Sequence, residues 1–248
     1  MSIELAVNRR EERLNNQKPK ERLIKDLRVY YSGLPAIGLY PYDYQYGEIF
    51  RSLLRKKGLK CPTYSHLYIL IAETFEECLM GSLSVEKWYT YGLSVIDYNG
   101  YLKSSHSEKE KIVIETIAAG LKDIANIDGL DISIIDSTIE EIEQTGLNTE
   151  LDYKTIENNY YKLRISYLSG NMEDGCPIFF TLTEKSSDTT RKILIGNADK
   201  HQISMWLQKI SLTKTHIKTK SSSTTMAQVW LKDKPRSMEF SINEIING

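Results

Sequence analysis

Apolar residues recur at helical spacing in some stretches of this chain and alternate or cluster in others, and that contrast predicts its elements. Over Pro19 to Tyr31, Leu23, Leu27 and Tyr30 share one face with Ile24 and Tyr31 at its edge. This reads as a helix opened by proline and followed by Gly33. Ile49, Phe50, Leu53 and Leu54 mark a second helix over about 47–57, with basic residues in its last turn and Gly58 beyond it. His66 to Ala72 is a compact apolar run too short for a helix and reads as a buried strand. Thr74 to Met80 reads as a helical turn and Trp88 to Tyr98 as a second strand, with a helix starting at Ser84 as the competing assignment.

Val113, Ile117, Leu121 and Ile124 form the stripe of a long helix over Ser107 to Asn126, which Ser107 and Glu110 would open as a capping box. Ser137 and Glu140 repeat that pattern before a shorter helix closed by Gly146. Past residue 150 the period changes. Tyr160 to Tyr167, Ile178 to Thr183, Arg191 to Ile195, Leu212 to Lys220, Ala227 to Leu231 and Met238 to Ile242 read as strands. A helix capped by Asp199 and Gln202 lies among them, and Gly170 to Gly175 and Ser221 to Thr225 read as polar turns. The fold class is α+β: a mixed helix and strand N-terminal half and a sheet-rich, mainly antiparallel C-terminal half. The chain reads as one globular unit over 1–248, with a subdivision into 1–150 and 151–248 as the alternative. Strands do not alternate regularly with long helices, which disfavours a doubly wound parallel sheet.

Composition adds a bound. Of the 248 residues 41% are apolar and 26% charged, enough apolar material for a core, and the net charge of −1 gives no global basic footprint of a dedicated nucleic-acid binder. No run approaches the length of a membrane span or a secretory signal, so the chain is expected to stay in the cytoplasm where it is made. The three cysteines are widely spaced and form no Cys-x-x-Cys pair, which predicts free thiols.

Local chemical signatures are absent. The chain has no phosphate-binding glycine loop, no nucleophile elbow and no His-Glu-x-x-His. Gly196 to Asp199 occupies a strand-to-helix turn, a place where anions can bind, but a tight turn with an aspartate cap accounts for it. His106, between Ser105 and Ser107, is the histidine best placed for nucleophile chemistry. Asp128, Asp131 and Asp136 lack the ligand spacing of a hard-metal site. The expectation is no catalytic residue, no metal and no cofactor.

Two distributions are uneven. From Asp128 to Glu157 the chain carries nine acids against the single Lys154, whereas Arg51 to Lys60 carries five bases and no acid. Asp128, Asp131, Asp136, Glu140, Glu141 and Glu143 are the acids that would face a basic partner. Tyr40, Tyr42, Tyr44 and Tyr46 alternate strictly around Pro41, which predicts an extended segment with four rings on one side, suited to recognition.

The segment GLPAIGLYPYDYQYGEIFRSLLRKKGLKCPTYSHLYI, with DYNGY and SHSEKEKIVIETIAAGLKDIA after it, resembles bacterial immunity proteins of polymorphic-toxin systems over about residues 30–145. The resemblance implies a cytoplasmic protein that neutralises one cognate toxin by binding it, and carries over no functional residue. The leading expectation is therefore a non-enzymatic inhibitor whose partner is a basic toxin domain. A hydrolase with a site assembled from distant residues is one alternative. A nucleic-acid accessory protein using the basic 51–60 stretch is the other.

Overall fold

A computed structural model describes residues 3–35, 38–82, 88–169 and 175–247. The fold is mixed α+β, and the chain divides into two compact units, Met1–Leu147 and Asn148–Gly248.

The first unit runs α1 (Ile3–Asn15), β1 (Arg22–Leu23), β2 (Asp26–Tyr31), α2 (Tyr42–Lys56), β3 (Lys60–Cys61), β4 (His66–Ala72), α3 (Phe75–Gly81), β5 (Tyr89–Val95), α4 (Tyr98–Lys103), α5 (His106–Asp128) and α6 (Ile132–Thr145). Strands β2, β4 and β5 form a parallel sheet in that order, with Leu27 opposite Leu67 and Tyr68 opposite Tyr91. A parallel sheet is usually buried on both faces, and helices lie on both faces here. On one, Leu70, Ala72 and Leu93 pack with Ala6 of α1 and Cys78 and Leu79 of α3. On the other, Leu27 lies against Gly47 of α2, and Ile69 and Gly92 lie against Gly120 of α5. The last approach is very close. A Cβ on Gly92 would stand 2.0 Å from the Gly120 carbonyl oxygen.

Strand β5 is an edge, and an edge needs its backbone groups covered. The Leu93 amide donates to Asp123 of α5 at 2.8 Å, and Arg10 of α1 pairs with the same carboxylate. Helix α1 therefore ties the edge strand to α5. Helices α5 and α6 form a hairpin turned by Gly129, which holds a left-handed conformation (φ 64°), and Leu130 beyond it is buried.

The second unit runs β6 (Glu150–Glu157), β7 (Tyr161–Leu168), β8 (Cys176–Glu184), β9 (Thr190–Ala198), α7 (Lys200–Trp206), β10 (Lys209–Leu212), β11 (His216–Lys220), α8 (Thr225–Trp230), β12 (Ser237–Ser241) and α9 (Ile242–Asn247). Strands β6 to β9 form an antiparallel meander, and β10 to β12 form a second antiparallel sheet. Alternate residues of β8 point inward, and Phe180 meets Phe240 of the other sheet edge to face at 5.4 Å.

Several sequence expectations are corrected. Asp26 to Tyr31 is a strand and not the end of a helix: Leu27 does turn inward, but Leu23 is 38% exposed, and pairing with β4 overrides the helical spacing. The long helix begins at His106 and is capped by Ser105 and Glu108, two residues earlier than Ser107 and Glu110. Helix α6 is capped by Asp131, so Ser137 and Glu140 are interior. Thr225 to Trp230 is a helix in place of the expected strand, capped by Thr224. The N-terminal sheet is parallel with helices on both faces, an arrangement disfavoured on sequence grounds. The competing helix start at Ser84 and most of the Gly170 to Gly175 turn lie outside the described residues.

Candidate protein-binding surface

The tyrosine run does not line one side of an extended segment. Helix α2 begins at Tyr42, with Pro41 in the N-cap position, where the missing amide costs no helical hydrogen bond. Helical geometry then separates residues that alternation would have aligned. Tyr42 and Tyr46 are four apart and both buried, whereas Tyr44 and Tyr40 are 38% and 53% exposed. Tyr42 bonds His106, and Tyr31 donates to Asp43 and accepts from the Leu39 amide.

Tyr46 is different. Its side chain is fully buried, with the Glu110 carboxylate beside its phenol. Burial and the nearby Glu110 carboxylate push this phenol well above its ordinary range.

The acids of the stretch starting at Asp128 are held in different ways. Asp128 is buried, accepting from Arg13 (Nε to Oδ1 3.0 Å) and from the Tyr64 hydroxyl. Burial and the Asp128 charge drive the Tyr64 phenol well above its ordinary range. Asp131 accepts from the Ser133 hydroxyl at 2.6 Å and from the Ser133 amide at 3.0 Å, and these bonds, the hydroxyl's first, hold its carboxyl below the ordinary range. Asp136 pairs with Lys122 of α5 at 2.9 Å. Glu141 pairs with Lys57, the residue that caps the end of α2, at 2.9 Å, and the same ammonium donates to the Ser137 carbonyl at 2.7 Å. Both flanks of α6 are thus fastened by ion pairs. Glu140 and Glu143 remain exposed, with no ion pair among the described residues. In the second unit Glu150 and Asp152 pair with Arg164, and Glu157 with Lys185.

Glu143 opens onto a cavity of about 480 Å³ between α5 and α6, whose lining includes Tyr46, Glu110, Ile114, Glu115 and Ile142. The geometry follows from the hairpin. With Lys122 beside Asp136, stepping back two turns along α5 reaches Glu115 as stepping forward two turns along α6 reaches Glu143. Lys111 also lines the groove, 3.7 Å from Glu115. The lining thus carries three carboxylates against one ammonium. Two clefts of about 390 and 200 Å³ flank α1, and of their lining arginines Arg10 is committed to Asp123 and Arg13 to Asp128.

His106 stands 80% exposed at the start of α5, bonded to Tyr42 and 3.8 Å from Glu110, with no serine hydroxyl bonded to its ring. Asp199 spends its carboxylate on the His201 amide as the cap of a seven-residue helix, and Gly196 lies against Trp206. No three of the described histidines, cysteines and acids are grouped to hold a metal ion, and the three cysteines are buried and form no disulfide. Among the described residues, no helix is long and apolar enough to cross a membrane.

The sheet also gathers a cluster that sequence reading missed. Tyr30, His66, Tyr68, Trp88, Tyr89 and Tyr91 come together from three strands, with Tyr68 stacked on Tyr89 at 4.7 Å and His66 edge-on to Trp88 at 5.0 Å. Its signal in the chain was the period-two spacing of His66 with Tyr68 and of Tyr89 with Tyr91, but the register that joins them is set by long-range pairing. No family model matches the chain, and neither the curated proteins nor the solved structures contain a match.

Proposed function

We propose that this protein acts by binding a basic protein partner along the α5–α6 groove, as an immunity-type inhibitor that neutralises a cognate toxin domain in the cytoplasm. The observation that carries the reading is the contrast along α6. Asp136 and Glu141 are neutralised by lysines of neighbouring helices, while Glu140 and Glu143 stand exposed beside a groove with two more carboxylates. A surface that keeps net negative charge after its internal pairs are counted attracts a positive partner and speeds encounter. Tyr40 is the most exposed member of the tyrosine run, whereas Tyr42 and Tyr46 are committed to packing.

The test is calorimetry between this chain and the product of a neighbouring toxin-type gene. The expected result is a one-to-one complex of micromolar or tighter affinity that weakens as salt rises. Absence of binding at micromolar concentration would overturn the reading.

A further inference from the structure

We infer that helix α8 docks on an anionic membrane surface, with Met226, Val229 and Trp230 entering the lipid interface and nearby lysines meeting the headgroups. The inference stands on the second unit alone and is independent of the protein-binding reading above. Strands β11 and β12 are antiparallel neighbours, which a short turn could join, yet residues 221–236 lie between them and carry α8. One side of α8 is fastened inward, with Ala227 and Leu231 buried. The other side bears Met226, Val229 and Trp230, three and four positions apart and so on one face, at 59%, 64% and 47% exposure. Large apolar side chains gathered on one exposed helix face mark an interaction site, as singly scattered ones do not.

Backbone bonding and charge select the occupant. A short helix leaves carbonyls at its end that water normally bonds. Here Arg236 donates to the Ala227 and Gln228 carbonyls, both at 3.2 Å, Gln202 donates to the Trp230 carbonyl at 3.1 Å, and the Lys234 amide donates to the Leu231 carbonyl at 3.0 Å. The end of α8 can therefore leave water without stranding these groups, as a lipid interface demands. The charge is one-sided. From Lys209 to Arg236 the chain carries seven bases against Asp233 alone. Lys209 and Lys220 stand directly opposite each other on β10 and β11, an unfavourable pairing that an anionic surface relieves. Strand β11 ends at Lys220, where the connection to α8 begins and the Ser221 amide bonds the Arg236 carbonyl. Apolar side chains flanked by bases match a bilayer, which offers acyl chains beneath anionic headgroups. A nucleic acid would use the lysines but gives valine and methionine no apolar surface to enter. Docking of this kind needs no membrane span.

The experiment mixes the full chain with vesicles of phosphatidylcholine, alone or with about 30% phosphatidylserine, and measures the bound fraction by flotation. The anionic vesicles are expected to bind about tenfold more tightly than the neutral ones and to release the protein as salt rises toward about 0.5 M. Val229→Ser with Trp230→Ser, at exposed positions that folding does not use, should lower the affinity about tenfold, and Lys209→Gln with Lys220→Gln by about the same factor. Brominated acyl chains should quench the fluorescence of the wild type and not that of Trp230→Phe, which keeps the apolar face and removes the reporter. No binding to anionic vesicles, or binding unchanged by the two serines, overturns the inference. Quenching that persists in Trp230→Phe puts another face on the lipid and also overturns it. So does capture of a single-stranded oligonucleotide in place of the vesicles, which would make the lysines contacts to a phosphate backbone. Calorimetry of the serine double variant with the basic protein partner should match the wild type, so either reading can fail without the other.

Discussion

Arg13 of α1 and Asp128 at the end of α5 form a fork pair, and Tyr64 adds a third bond to the same carboxylate. The first acid of the acid-rich stretch is therefore an internal fastener. Its side chain is 7% exposed, and removing one member of such a pair leaves the other charge buried without its partner. Asp128→Asn is expected to cost about 3 kcal/mol of stability, measured by urea denaturation. The same variant should bind a basic partner as the wild type does, since Asp128 presents no charge to solvent. A loss of binding without loss of stability would place Asp128 on the recognition surface.

That pair also shows where reading the chain succeeds and where it fails. Elements whose identity is decided locally were legible: the β4 run of large apolar residues, the α5 stripe from Val113 to Ile124, and the Asp199 cap of α7. Elements decided by distant partners were not. Nothing near Asp26 to Tyr31 says that β4 will pair with it, so its helical spacing was misleading. Charge was misread for the same reason. The acids after Asp128 look like one block along the chain, but their cations come from Arg13, Lys57, Lys122 and Arg164, as many as 115 residues away. The cavity under Glu143 was legible only in part. Tyr46 was marked for its place in an alternating run, whereas helical geometry buries it beside that cavity, a position no pattern along the chain reveals.

The contact of Gly92 with Gly120 predicts a ranking of two substitutions. In Gly92→Ala the new methyl meets a backbone carbonyl at 2.0 Å, so helix and sheet must separate. In Gly120→Ala the methyl meets the Cγ2 methyl of the buried Ile69 at 2.5 Å, a side chain and not backbone, and alanine regains about 1 kcal/mol of helix propensity. Gly92→Ala is expected to destabilise by about 3 kcal/mol and Gly120→Ala by clearly less. Thermal or urea melts of the two variants check the order, and the reverse order would mean that α5 rests on the sheet elsewhere.

Glu150 gives the second unit an acid-sensitive contact. Burial works to raise its carboxyl, but bonds from Lys192 and Ser166 and the charge of Arg164 outweigh that and hold it below the ordinary glutamate value of 4.5. A carboxyl depressed in the folded state contributes stability that is fully present above its unfolded value and is lost as pH falls through the folded value. The second unit should therefore weaken as pH drops from about 5 toward 3. Glu150→Gln should be less stable at neutral pH and lose less on acidification. Hydrogen exchange at the β7 amides reads this for the second unit by itself. An equal acid loss in the variant would assign the effect to other carboxylates.

The partition of charge along α6 yields the most direct test of how a partner is recognised. Neutralising one member of an ion pair changes the net field, so single substitutions at Asp136 or Glu141 cannot separate pairing from exposure. Removing both members can. Lys57→Met with Glu141→Gln leaves the net charge unchanged and takes away a pair that is already satisfied internally. Glu140→Gln with Glu143→Gln removes two charges that have no such partner. The first pair of changes should leave the association rate with a basic partner within about twofold. The second should slow association about tenfold at low salt, with the difference fading as ionic strength rises toward about 0.5 M and the screening length shortens. Stopped-flow association of the two double variants decides it. Equal slowing would mean that the Lys57–Glu141 pair matters as much as the exposed edge of α6, which would overturn the assignment of recognition to that edge.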